Sequence, residues 1–187
     1  MKQFGFLIIC LAFFAACQTN TEKIILADQD NAGLKLPEGF KALIYADSIG
    51  HARHLDINSN GDIYVSLSRV KNGGGIVCLR DENNDGRADV INYHGIYDGT
   101  GIGLHNGYLY FGADTVIVRY KLTEGELIPS ANAEIVAAGF TSENQHATKP
   151  ITFDQNGNMT LQLALPQMLV RNRIVLKARK EWIHARC

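Results

Sequence analysis

A short unit that occurs three times constrains this chain more than any other feature. INSNGDIYVSL begins at Ile57, IGLHNGYLYFG at Ile102 and ITFDQNGNM at Ile151. Each copy is an apolar run, a polar turn ending in Asn-Gly, one variable residue and a further apolar residue. In the first two copies a tyrosine follows, Tyr64 and Tyr110. Gly61, Gly107 and Gly157 stand 46 and 50 positions apart. Asn-Gly between apolar runs predicts a hairpin, because a type I′ turn requires positive φ at both central residues. A β unit recurring every ~40–50 residues is the pattern of propeller blades. The plainer alternative is a meander of unrelated hairpins.

A propeller closes its ring with about four or more blades. Three copies in 187 residues therefore read as part of something longer, although the 46% hydrophobic content is ample for a core. Residues 1–17 read as a targeting segment. Lys2 supplies a positive start and Phe4–Phe14 is a nearly unbroken apolar run, too short to span a bilayer. Phe14-Ala15-Ala16-Cys17 then resembles a bacterial lipobox, which would make Cys17 the lipidated N-terminus of a protein anchored in the cell envelope. Phe14 stands where leucine is more usual, and an ordinary cleaved signal peptide is the other reading. Residues 18–35 are polar and fit a tether.

The domain is expected to open at Leu36-Pro37-Glu38-Gly39-Phe40, with Lys41–Tyr45 as a first strand and His54–Leu67 as a first hairpin. Further strands are predicted at Ile76–Leu79, Val90–Tyr93, Leu109–Phe111, Val116–Tyr120 and Ile135–Phe140. The glycine-rich Gly99–Gly103 reads as lying between β segments, and Thr141–Pro150 as a polar loop. Cys10 and Cys17 fall in the leader, Cys78 in a strand and Cys187 at the end. No Cys/His spacing supports zinc or a redox motif.

Beyond Met159 the composition changes. Residues 1–159 carry 12 basic and 18 acidic side chains, whereas residues 160–187 carry six basic, one acidic and no glycine. A basic amphipathic helix for a membrane surface is one account. A shifted reading frame is another. With a permitted choice of codons, restoring one base after Met159 turns MTLQLALPQMLV into MYVTIGAPSNAC. That change returns a tyrosine to the column of Tyr64 and Tyr110. Residues 160–187 are on this account non-native, and residues 36–159 are the first two to three blades.

Asp81, Asn83, Asp85, Arg87 and Asp89 match the opening positions of an EF-hand-type calcium loop. Alternate oxygens would converge on a cation because Gly86 permits the sharp turn, with Arg87 giving its carbonyl. Asn92 occupies the place of the bidentate glutamate, and no helix flanks the loop. A solvated Asx-rich turn joining Leu79 to Val90 is the alternative. Of the histidines, His51, His54, His94 and His105 read as structural, while His146 ends a polar loop that leads into the third repeat. There is no serine-hydrolase elbow, P-loop, zincin motif or Rossmann fingerprint. The net negative charge before residue 160, with no recurring basic and aromatic pattern, argues against nucleic acid.

Leu36-Pro37-Glu38-Gly39-Phe40, the NGDIYV-type hairpins, and Gln145-His146 ahead of Ile151–Gly157 together resemble the soluble glucose/sorbosone dehydrogenases. The closest likeness is to bacterial lipoprotein members. The resemblance implies an all-β fold, part of a six-bladed β-propeller, and pyrroloquinoline quinone (PQQ) as cofactor. It implies that His146 is the general base, taking a proton from a sugar hydroxyl as hydride passes to the quinone. The catalytic calcium and cationic cofactor ligands of that family come from later blades, so this chain by itself is expected to be inactive. The other function considered is a non-catalytic propeller at the cell surface that binds carbohydrate or protein.

Overall fold

The computed structural model describes residues 25–140 and 148–162. Two four-stranded antiparallel meanders and a two-stranded sheet account for the strands among them. The first contains β1 (Ala52–Ile57), β2 (Ile63–Lys71), β3 (Gly74–Arg80) and β4 (Val90–His94), in that order. The second repeats the arrangement with β5 (Gly99–His105), β6 (Tyr108–Ala113), β7 (Val116–Lys121) and β8 (Glu134–Ala138). The third consists of β9 (Ile151–Phe153) paired with β10 (Met159–Leu161). The only helical turn among the described residues is a single 3-10 turn at Asn31–Gly33. The fold is all-β, and its repeated meanders are consistent with part of a β-propeller.

The sheets stack because their central strands are apolar on both faces. Tyr64, Ile76 and Cys78 on one face of the first sheet meet Ile102, Leu109, Phe111, Val118 and Tyr120 of the second. On its far side the second sheet presents Tyr110 and Ile117 to Met159 and Leu161 of the third. The other face of the first sheet, with Val65, Leu67, Val77 and Leu79, is covered by Tyr45, Ala46 and Ile49. That covering segment explains why Lys41–Tyr45 does not form the expected strand. It crosses a sheet face instead of joining an edge, and its backbone bonds go to loops: Asp28 donates to the Ala42 carbonyl and Ala88 to that of Tyr45.

The Asn-Gly turns fall into two kinds. Asn106-Gly107 has φ of 47° and 75°, as a two-residue type I′ turn requires, and so has Asn72-Gly73 at 48° and 80°. The first and third repeats differ. There only the glycine is left-handed, Gly61 at 91° and Gly157 at 77°. Their longer loops close with Gly61 N–H donating to Asn58 O and Gly157 N–H donating to Asp154 O. Side chains supply what the backbone cannot: Asp154 Oδ1 accepts from the amides of Asn156 and Asn158, and Asn60 Oδ1 accepts from Asp62. An acceptor side chain near the start of the loop favours this Asx-turn form over the two-residue turn.

Asp28 accepts from Ile44 N–H at 2.8 Å and pairs with Arg87, so packing begins inside the stretch read as a tether. The glycine-rich Gly99–Gly103 is not a connection but most of strand β5. Strand β10 pairs Thr160 with Thr152 and Leu161 with Ile151, two residues past Met159.

Candidate functional site

The first strands of the three sheets run side by side, with β5 against β1 on one side and β9 on the other. Two of them carry a β-bulge near their N-terminal ends. In the first sheet Ala52 pairs with Leu67 and Leu55 with Val65, so Arg53 and His54 together oppose Ser66. In the second, Gly99 pairs with Ala113 and Gly101 with Gly112, which leaves Thr100 as the extra residue. His54 and Thr100 are 46 positions apart, the same interval as Gly61 and Gly107. The repeat thus includes the irregularity, a device that re-aims side chains.

The two bulges are bonded to each other. Buried Ser66 replaces the missing ladder partner: its hydroxyl accepts from His54 N–H at 3.1 Å and reaches the Thr100 carbonyl at 3.0 Å. The same carbonyl lies 2.6 Å from His54 Nδ1. A carbonyl only accepts, so Nδ1 carries the proton, and in the neutral ring Nε2 holds the lone pair. His54 itself is exposed.

Thr100 also holds the entry to β9. Its hydroxyl accepts from the Lys149 backbone N–H at 2.9 Å. The glycines explain the close approach. A Cβ at Gly101 would stand 2.0 Å from the Lys149 carbonyl oxygen, and one at Gly112 would stand 2.6 Å from it. Lys149 is 3% exposed. Burial pulls its ammonium below the usual lysine range, partly offset by the charge of Asp114. Burial in turn raises the Asp114 carboxyl, the like charge of Asp98 adds to this, and Lys149 opposes it. Thr100 and Lys149 carried no motif in the sequence. Gly99, Gly101 and Gly103 around Thr100 were the available signal, since they mark backbone that another segment approaches closely.

The loop with Asp81, Asn83, Asp85, Arg87 and Asp89 is organised by its own hydrogen bonds. Asp81 accepts from the amides of Asp85 and Gly86, at 3.2 and 2.7 Å. These and further loop amides hold its carboxyl below the usual range despite the opposing desolvation. Asp89 accepts from Glu82 N–H and from the Asn83 side-chain amide, each at 2.8 Å, and Asp85 accepts from Arg87 N–H at 2.9 Å. The Arg87 guanidinium turns away to the Ile44 carbonyl and Asp28. Gly86 makes the sharp turn at φ 87°. Bonds of this kind are common to a solvated Asx-rich turn and to an EF-hand-type loop, whose sixth position is likewise a glycine. Among the described residues, no three His, Cys, Asp or Glu side chains form a group that would hold a metal.

His94 meets Tyr120 edge-on at 4.8 Å, and His105 stacks on Phe153 at 4.6 Å; both pack between elements. His146 and Cys17 lie outside the described residues. Among the described residues no helix is long and apolar enough to cross a membrane. One cavity of about 420 Å3 lies between Arg80, Val90 and Leu127, and another of about 700 Å3 lies between Ile25, Tyr45, Asp62 and Asn84. Neither is lined by β1, β5 or β9.

Stacked meanders joined along their first strands define a class of fold, and solved structures share it. No protein-family profile and no curated protein matches the sequence. The PQQ domain of pyranose dehydrogenase from Coprinopsis cinerea, in its holo form, superposes with a TM-score of 0.58 at 13% identity. The match covers 68% of this chain and 31% of that one. A calcium structure of a carbohydrate-active enzyme of family AA12 from Trichoderma reesei gives 0.55 at 15% identity, over 64% of this chain and 31% of that one. An iodide structure of the same family gives 0.53 at 15% identity, with 64% and 33% covered. The chain thus has the fold of part of these proteins and spans about a third of their length.

Proposed function

We propose that this chain is the opening part of a six-bladed, PQQ-dependent oxidoreductase that acts on sugars, carried on the cell envelope by a lipid at Cys17. The observation that carries the reading is the fold shared with the PQQ domain of a pyranose dehydrogenase. A difference between equivalent strands supports a ring. β5, flanked on both sides, buries most of its residues, whereas β1, flanked among the described residues by β5 alone, leaves Leu55 59% and Ile57 56% exposed. A further blade against β1 would cover them.

The described residues do not fit PQQ by themselves. At the N-terminal ends of the first strands, the described residues offer the exposed Arg53 guanidinium, the His54 imidazole and the buried Lys149 ammonium. A tricarboxylic quinone requires more cationic partners than this. The 187-residue chain alone is accordingly expected to be inactive. In the full-length protein His146 serves as the base that accepts a proton from a sugar hydroxyl. The test is dye reduction by aldoses in full-length protein supplied with PQQ and calcium. Turnover in the wild type, lost in His146→Ala with PQQ binding retained, is the expected result. Absence of PQQ binding would instead favour a non-catalytic surface propeller that binds carbohydrate or protein.

A further inference from the structure

We infer that His54 is a substrate-binding residue whose Nε2 accepts a hydrogen bond from a sugar hydroxyl; the inference rests on the sugar-oxidoreductase reading above. Three features of the structure converge on this ring. A bulge lifts Arg53 and His54 out of the regular ladder. Ser66, fully buried, fixes the lifted backbone through His54 N–H. The carbonyl of buried Thr100, the extra residue of the second bulge, fixes the ring through Nδ1 at 2.6 Å. A histidine whose Nδ1–H is tied to a backbone carbonyl has a set tautomer and presents Nε2 outward as an oriented acceptor.

The location agrees with this role. Thr100 bonds His54 through its carbonyl and Lys149 through its hydroxyl. His54 therefore sits at the end of the inner strands where the chain enters β9. The chemistry of the ligand follows from what Nε2 lacks. A lone acceptor pairs with a donor, and the donors of a sugar are hydroxyls. A metal is disfavoured, because no three ligating side chains group among the described residues. Sequence reading assigned this histidine a structural role, since a single β-strand histidine beside small residues carries no motif.

The experiment uses full-length protein loaded with PQQ, selectively labelled with 15N in its histidines. His54 is assigned by its loss in His54→Gln. Long-range proton–nitrogen correlation is expected to show the Nδ1–H tautomer, with Nε2 shifting on addition of aldose. In parallel, His54→Phe is expected to raise KM for aldose roughly tenfold, the effect of losing one hydrogen bond, with kcat changed far less. His54→Gln, which keeps an acceptor, restores most of the affinity. Melting temperature and PQQ binding of each variant report on folding. An Nε2–H tautomer, or an unchanged KM in a folded His54→Phe protein, overturns the inference while leaving the His146 reading intact. Wild-type protein that binds no PQQ overturns both.

Discussion

At the scale of single residues, the Asp62–Arg80 pair shows how this sheet tolerates a charge. Asp62 is 1% exposed, and Arg80 reaches it with two nitrogens, each at 2.7 Å. Burial pushes the carboxyl up, but the Arg80 guanidinium and the Asn60 amide outweigh it and hold the carboxyl below its ordinary value of 3.8. A carboxylate depressed in the folded state contributes stability that is complete above its unfolded value and is lost as pH falls through the folded one. Asp62→Asn is therefore expected to cost about 1.5–3 kcal/mol at neutral pH, the range for hydrogen bonds to charged groups. Its deficit relative to the wild type should begin to shrink as pH falls below the unfolded carboxylate value of about 3.9 and keep shrinking through the depressed folded one. Urea melts at both pH values measure this, and an equal deficit at both would show the pair to be inert. Gly101 offers a second test. An alanine there needs no unusual φ, yet its methyl would meet the Lys149 carbonyl oxygen at 2.0 Å. Gly101→Ala is expected to cost about 1–3 kcal/mol from overpacking, read from the same melts; no loss would mean that the segment entering β9 moves freely.

At the scale of elements, the repeat was legible because hairpins are local. Ile63–Lys71, Gly74–Arg80, Tyr108–Ala113 and Val116–Lys121 are β-branched and aromatic runs bounded by Asn-Gly or polar turns, and each is a strand. What escaped was set by contacts distant in sequence. Gly99–Gly103 has no strand propensity, and it is a strand because Lys149 and β6 need its bare backbone. Lys41–Tyr45 has strand propensity, and it is not one because the face it covers offers no ladder. The bulges at His54 and Thr100 were invisible for the same reason, as an extra residue shows only against its partner strand. The two turn types make a measurable distinction. Asn106 is left-handed at φ 47°, whereas Asn156 is not among the positive-φ residues. Asn106→Val should destabilise by about 1–2 kcal/mol, the cost of a left-handed conformation for a side chain with a Cβ, beyond the effect of Asn156→Val. Equal effects in thermal melts would contradict the assignment of a type I′ turn to the second repeat alone among the three.

At the scale of the whole molecule, three sheets side by side along their first strands are consistent with part of a β-propeller, and the chain spans about a third of the solved proteins that share its fold. The site reading divides accordingly. The fold and one imidazole-bearing edge are in the described residues, whereas His146 and Cys17 lie outside them. Leu55 and Ile57 on β1 and Ile135 on β8 are exposed apolar surface. The most direct measurement is a calorimetric titration with PQQ in the presence of calcium, made on residues 18–187 and on the full-length protein side by side. The account predicts saturable binding of one PQQ by the full-length protein and none by residues 18–187. No binding by the full-length protein, or equal binding by both, would contradict it.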